Sequence, residues 1–282
     1  YSIKDSDVFN NNESYEIEIE IINNQIEDYI INVGYQKLII LLKKVIKYIL
    51  IGLQDSHYPI SFQEQMLVRN NYYDLIKKLD YKIKPVVPGD FIGPSSITLQ
   101  MDNLINTEDE TELNSNIPNI RNNYTVTDKA DGYRKLMLIS ATGKIYLINT
   151  NMNIEFTGTL TKNKDLFNTI IDGEHVLNDK YNKFINLFIA FDIYFINNKN
   201  ITGFPLINTK SETRKDIKEE QGLEPELFKE EKEEKAKTKE DKAEKEEKTI
   251  LYRLHILNSV IKNLGAISVS SSKSVMEFDV KK

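Results

Sequence analysis

Leu187-Phe188-Ile189-Ala190-Phe191-Asp192-Ile193-Tyr194-Phe195 is an almost wholly apolar run broken by one acid. A run of this length and content reads as a strand. A carboxylate inside it is costly unless it is paired, hydrogen-bonded or metal-bound, so Asp192 demands a partner. A similar setting holds Glu174, within Ile171-Asp172-Gly173-Glu174 and the apolar run from Ile170 to Leu177. Each acid could still be a strand-end residue facing solvent.

Forty residues upstream, Thr127-Asp128-Lys129-Ala130-Asp131-Gly132-Tyr133-Arg134 is flanked by two predicted strands, Tyr124-Thr125-Val126 and Leu136-Met137-Leu138-Ile139. A lysine amine is a nucleophile only when neutral, and its reference pKa near ~10.4 keeps it mostly charged. Burial beside phosphate and metal can free the lone pair. Gly132 permits the sharp turn that sets Lys129 at the mouth of a cleft. Arg134 offers planar, fixed-charge hydrogen bonding to ribose or phosphate. The plain alternative is a charged β-turn, since Asp-Gly is a common hairpin signal.

These residues, K-x-D-G-x-R at Lys129, D-G-E at Asp172 and F-D at Phe191, resemble the ordered motifs of the covalent nucleotidyltransferases. That superfamily comprises RNA capping guanylyltransferases and ATP- or NAD-dependent polynucleotide ligases. Asp90-Phe91-Ile92-Gly93-Pro94-Ser95-Ser96-Ile97-Thr98-Leu99 resembles the segment before the lysine in capping enzymes of large DNA viruses, the giant-virus type. Leu251-Tyr252-Arg253-Leu254-His255-Ile256-Leu257-Asn258 resembles the helix after the F-D strand, where an arginine recurs. The resemblance covers roughly 90 to 282. It implies that Lys129 forms a lysyl-NMP intermediate and that Asp131, Gly132, Arg134 and Asp192 belong to the nucleotide site. Glu174 would contact the ribose or its metal, and Phe191 would stack on the purine, worth about 1–3 kcal/mol per base. The family's later E-G-hydrophobic-hydrophobic-K and K-x-K motifs and its OB-fold are expected beyond Lys282. Both ends read as cuts from a longer chain, and this piece is expected to be inactive alone.

Tyr15-Glu16-Ile17-Glu18-Ile19-Glu20-Ile21 alternates strictly, which predicts a strand with isoleucine on one face and glutamate on the other. Three aligned carboxylates repel unless a cation neutralises them, and carboxylate oxygen suits Mg²⁺ or Mn²⁺. An amphipathic edge strand with a solvated acidic face is the alternative. The pattern resembles the metal-binding strands of tunnel-type RNA triphosphatases, which would make Glu16, Glu18 and Glu20 metal ligands. The partner acidic strand is then expected before Tyr1.

Gln36 to Gln54 is apolar, but Lys43, Lys44 and Lys47 interrupt it short of the ~20 residues a membrane span requires. Leu38, Leu42, Val45, Ile49 and Leu53 form a helical stripe, and Phe62 to Leu79 is a second amphipathic segment. Pro85, Pro88, Gly89 and Pro94 mark the approach to the next domain. Between 211 and 248 the composition changes: from Lys229 to Lys248 there are eight lysines and nine acids in twenty residues. Such a segment has nothing to bury, so a solvated insertion, disordered or a fraying helix, is expected.

Composition sets outer limits. The 282 residues allow one ordinary domain with appendages, and net charge −6 requires any RNA binding to be local. The absence of cysteine removes disulfides, zinc ribbons and thiol catalysis. His57, His175 and His255 show no ligand spacing. Abundant lysine, asparagine and isoleucine suggest an AT-rich genome, consistent with a giant virus.

The expected fold is α+β: an antiparallel-sheet nucleotidyltransferase domain, an ATP-grasp-like ligase/capping fold lacking its OB-fold, preceded by the end of a β-tunnel triphosphatase domain. The expected division is 1–30 triphosphatase, 31–89 helical linker and 90–282 guanylyltransferase. The resemblance implies an mRNA-capping guanylyltransferase using GTP and Mg²⁺ or Mn²⁺, acting on 5′-triphosphate or diphosphate RNA. It also implies fusion to an RNA 5′-triphosphatase, room for a cap methyltransferase in the same chain, and a viral setting in the host cytoplasm or virion. An ATP-dependent polynucleotide ligase and a non-catalytic RNA-binding or docking module remain the alternatives.

Overall fold

The computed structural model describes residues 17–20, 26, 29–31, 34–77, 87–104, 118–121, 124–207, 252–270 and 276–281. The chain divides into two compact units, Tyr1–Asp55 and Ser56–Lys282.

In the first unit, helix α1 spans Tyr35–Gln54 and ends where Asp55 turns left-handed at φ 47°. The helical stripe is as expected, yet none of its residues is buried. No helix among the described residues is long and apolar enough to cross a membrane. Residues 17–20 form no strand and their side chains are exposed, which corrects the alternating-strand expectation over this stretch. A strand needs a neighbour for its backbone hydrogen bonds, and no described strand pairs with it. Glu16 lies outside the described residues, as does the whole of 211–248.

The second unit is a three-layer arrangement. Helix α2 (Phe62–Leu75) begins at Ser61, whose hydroxyl accepts the Glu64 N–H. Strands β1 (Tyr133–Ile139), β2 (Lys144–Asn149), β3 (Ile154–Leu160), β4 (Thr169–Asn178), β5 (Phe184–Ile196) and β6 (Lys199–Asn200) follow. Helix α3 (Arg253–Lys262) and strands β7 (Ile267–Ser268) and β8 (Glu277–Val280) complete it. The sheet order is β6-β5-β4-β1-β2-β3-β7, with β8 paired parallel to β5 and every other pairing antiparallel.

The strands read as continuous apolar runs because both sheet faces are covered. On one face Met137, Leu147, Ile171, Phe188 and Ala190 pack with Ile256, Leu257 and Val260 of α3. On the other, Leu136, Leu138, Ile148, Ile170 and Phe195 pack with Val68, Tyr72 and Tyr73 of α2. Helix α2 is therefore part of the sheet's core, where a linker over 31–89 was expected. Amphipathic periodicity gives a helix its buried face but not the surface that receives it. The predicted strand Tyr124-Thr125-Val126 is also corrected: residues 124–131 have no regular structure, and Tyr124 and Val126 are exposed.

Candidate active site

The site lies on the α2 face of the sheet, where β1, β4 and β5 run side by side. Arg134 pairs with Glu174 across β1 and β4, and Asp172 pairs with Asp192 across β4 and β5. Lys129, three residues before Gly132, sits exposed on the extended segment leading into β1. Its Nζ donates to the Ala130 carbonyl at 3.3 Å. The described side chains thus leave Lys129 exposed. Asp131 is likewise exposed.

Gly132 earns its place by close approach. A Cβ there would stand 2.6 Å from the His175 carbonyl oxygen, so only glycine lets the segment cross β4. Its N–H donates to Glu174 Oε1 at 3.1 Å, which ties the lysine motif to the D-G-E motif.

Arg134 is committed in a way its sequence position did not reveal. Nε and Nη2 donate to the two Asp172 oxygens at 3.1 and 2.6 Å, and Nη1 donates to the Pro94 carbonyl at 2.6 Å. Its guanidinium carbon stands 5.3 Å from the Phe91 ring centroid and 6.0 Å from that of Phe191. Arg134 therefore pins the 91–94 segment over the sheet, an arrangement that suits its rigid fork of donors. Gly93, at φ 116°, passes so near that a Cβ would stand 2.7 Å from Arg134 Nη2 and 2.8 Å from Tyr194 Oη.

Asp172 is fully buried. Burial pushes its carboxyl above the ordinary value, opposed by hydrogen bonds from Arg134 and Tyr194 and by the guanidinium charge. The Tyr194 hydroxyl donates to Asp172 Oδ2 at 2.6 Å, and burial with the adjacent carboxylate raises the phenol. The bond that Arg134 donates to Asp172 raises Arg134 in turn.

Asp192 has the partner it required. Arg253, the first residue of α3, donates from Nε to Oδ1 at 2.8 Å and from Nη2 to Oδ2 at 3.0 Å. The remaining Arg253 donors reach the Thr202 and Phe204 carbonyls. Asp192 is thus a structural anchor beside the site. Between the Asp172–Asp192 and Gly173–Ala190 pairs the register shifts, leaving Phe191 as the extra residue of a bulge, where ladders commonly re-aim a side chain. Lys281, just past β8, stands 5.7 Å from the Phe191 ring centroid.

The sheet thus gathers Gly132, Arg134, Glu174, Phe191 and Asp192, with Lys129 and Asp131 at its edge. Glu18 and Glu20 belong to the other compact unit. Asp172, Tyr194, Gly93, Arg253 and Lys281 were not foreseen as site residues. Asp172 was legible by the argument applied to Asp192, and Arg253 lies in the segment that resembles the helix where an arginine recurs. Among the described residues no three His, Cys, Asp or Glu side chains converge as a metal cluster. Asp172 and Asp192 give both oxygens to guanidinium, so Glu174 is the better-placed acid for a hard cation. Mg²⁺ usually takes one or two carboxylates together with substrate phosphates, and this donor set fits that mode.

The family model described as "mRNA capping enzyme, catalytic domain" matches residues 114–265. The chain is also 28% identical over 188 residues to a "Probable mRNA-capping enzyme" of Acanthamoeba polyphaga mimivirus. That alignment covers 64% of this chain and 12% of the relative. The relative's source agrees with the resemblance to capping enzymes of large DNA viruses. With β1 to β5 and Arg253 inside a match that spans more than half of the residues, the chain belongs to the family of mRNA capping enzyme catalytic domains.

Proposed function

We propose that this domain is the guanylyltransferase of a viral mRNA-capping protein. The observation that carries the reading is the tie between Gly132 and Glu174, which joins the lysine segment to the strands bearing Arg134 and Phe191. The neutral Lys129 amine would attack the α-phosphate of GTP. A P–N bond forms, the bond to pyrophosphate breaks, and the amine sheds a proton. GMP would then pass to the 5′-diphosphate end of RNA, regenerating Lys129. Phe191 offers the purine an aromatic face, and Arg134 holds the 91–94 segment in place. Glu174 would hold Mg²⁺ or Mn²⁺, which supplies charge neutralisation as pyrophosphate departs.

A ligase would take ATP at the same lysine. Incubation with α-labelled GTP or ATP separates the two, using the chain extended through the motifs expected beyond Lys282. GTP should give an acid-stable protein adduct that chelation of divalent metal prevents. Lys129→Ala should abolish it, and Lys129→Arg likewise, because a guanidinium stays protonated. Glu174→Ala should cut labelling by roughly several hundred-fold. Labelling that survives in Lys129→Ala would remove the nucleophile assignment, and no nucleotide transfer at all would favour a docking module.

The triphosphatase role of Glu16, Glu18 and Glu20, a following methyltransferase and a place in the virus factory or virion belong to the same proposal. Their support is the alternating sequence and the likeness to a much longer viral capping protein.

A further inference from the structure

The hairpin that joins β4 to β5 carries a group of side chains with no role in the site described above. Leu177-Asn178-Asp179-Lys180-Tyr181-Asn182-Lys183-Phe184 interleaves two aromatic rings with two lysines. Tyr181 is 78% exposed and Phe184 52% exposed. The turn is rigid. Asp179 Oδ1 accepts the N–H groups of Tyr181 and Lys183, both at 2.9 Å, and the Asp179 carbonyl accepts that of Asn182 at 2.9 Å. The one acid of the tip is therefore spent inside the turn, while Lys180 and Lys183 are exposed. The Lys180 ammonium stands 5.0 Å from the Tyr181 ring centroid, which leaves the opposite ring face free of it.

The position of this finger gives it meaning. Phe184 pairs with Asn178 at the end of β4, past a register shift between Val176 and Asn178. Phe184 thus lies about 13 Å along the strand from Glu174 at the usual rise per residue. That is a reach of a few nucleotides from the lysine motif. Flat rings for stacking, with cations spaced for phosphates, suit single-stranded nucleic acid whatever its sequence. In a chain of net charge −6, a local cationic tip is what an RNA 5′ segment needs in order to dock.

We propose that the 177–184 hairpin holds the first nucleotides of the acceptor RNA, with Tyr181 and Phe184 stacking on bases and Lys180 and Lys183 contacting phosphates. This rests on the guanylyltransferase reading for the direction in which the strand runs, but binding can be measured without catalysis. The probe is a 5′-diphosphate single-stranded RNA of about eight nucleotides, within the site sizes that such surfaces cover. Its binding to the 282-residue chain is followed by fluorescence anisotropy.

Tyr181→Ala and Phe184→Ala should each weaken binding about tenfold, while Tyr181→Phe, which keeps the ring, should bind like the parent. Lys180→Gln with Lys183→Gln should lower the salt slope of log K by about 1.4, at ~0.7 per phosphate contact on a single strand. Melting temperatures near the parent's would show that the variants fold. Equal affinity across all of them, no binding by the parent, or equal hairpin dependence for polyglutamate would overturn the proposal. GTP labelling, assayed separately with the extended chain, should not change in the hairpin variants. Loss of labelling in the parent with hairpin-dependent RNA binding intact would sink the guanylyltransferase reading and leave the finger standing.

Discussion

Two carboxylates on neighbouring strands, each gripped by its own arginine, set the character of this site. Asp172 and Asp192 face each other across β4 and β5, a repulsive pairing that two guanidiniums make tolerable. Removing one partner should therefore cost more than removing a surface charge. Arg253→Ala leaves Asp192 buried without its fork and strips the Thr202 and Phe204 carbonyls of a donor. A loss of about 3–5 kcal/mol is expected, measurable by urea unfolding. Arg253→Lys restores charge without the planar fork and should recover only part of it. A change below about 0.5 kcal/mol for Arg253→Ala would mean that the pair behaves as an ordinary surface contact.

At the scale of elements, α2 is joined to the sheet by a polar contact as well as by its apolar face. Glu64 Oε1 accepts from Lys144 Nζ at 2.8 Å and from the Tyr146 hydroxyl at 2.7 Å. Burial alone would raise the Glu64 carboxyl, but the bonds from Lys144 and Tyr146 outweigh it and hold it below the ordinary value. Folding thus favours the ionised form. Its contribution is present above the pKa of the unfolded glutamate and fades as pH falls through the lower folded value. Thermal melts across this acid range should show the parent losing stability along a limb that Glu64→Gln flattens. Identical limbs would mean that the contact carries no linked stability.

At the same scale, the sequence's reach differed from element to element. Helices at Tyr35–Gln54 and Phe62–Leu75, and strands at Tyr133–Ile139, Thr169–Asn178 and Phe184–Ile196, follow from periodicity and apolar runs, while the helix at Arg253–Lys262 was expected from the resemblance. Residues 124–126 and 17–20 have strand-like composition but form no strand. Composition can favour an extended backbone, whereas a strand exists only where a neighbour offers a ladder.

For the whole molecule, the division at Asp55 and Ser56 separates the glutamate stretch from the lysine site. Glu18→Ala and Glu20→Ala should leave Lys129 labelling intact and shift the melting temperature by no more than about 2 °C. Loss of labelling in either variant would show that the two units act as one. A metal-dependent release of γ-phosphate from triphosphate-ended RNA, impaired by the same substitutions, would support the triphosphatase proposal.

The linear order of residues pointed to Lys129, Gly132, Glu174 and Phe191 through motifs that resemble those of one family, and the structure sets Gly132 against Glu174 and Phe191 near Arg134. The linear order also showed that Asp192, if buried, needed a counter-charge, a hydrogen bond or a metal, since a lone carboxylate in an apolar strand is costly. Only the tertiary structure decided that Arg253, sixty-one positions away, supplies that charge. It alone spent Arg134 on Asp172 and Pro94, brought Lys281 to Phe191 through a parallel strand, and set α2 on the sheet. Register and packing bring together partners that are far apart in sequence, and a residue's own neighbours in the chain say nothing about which distant group its donors will reach.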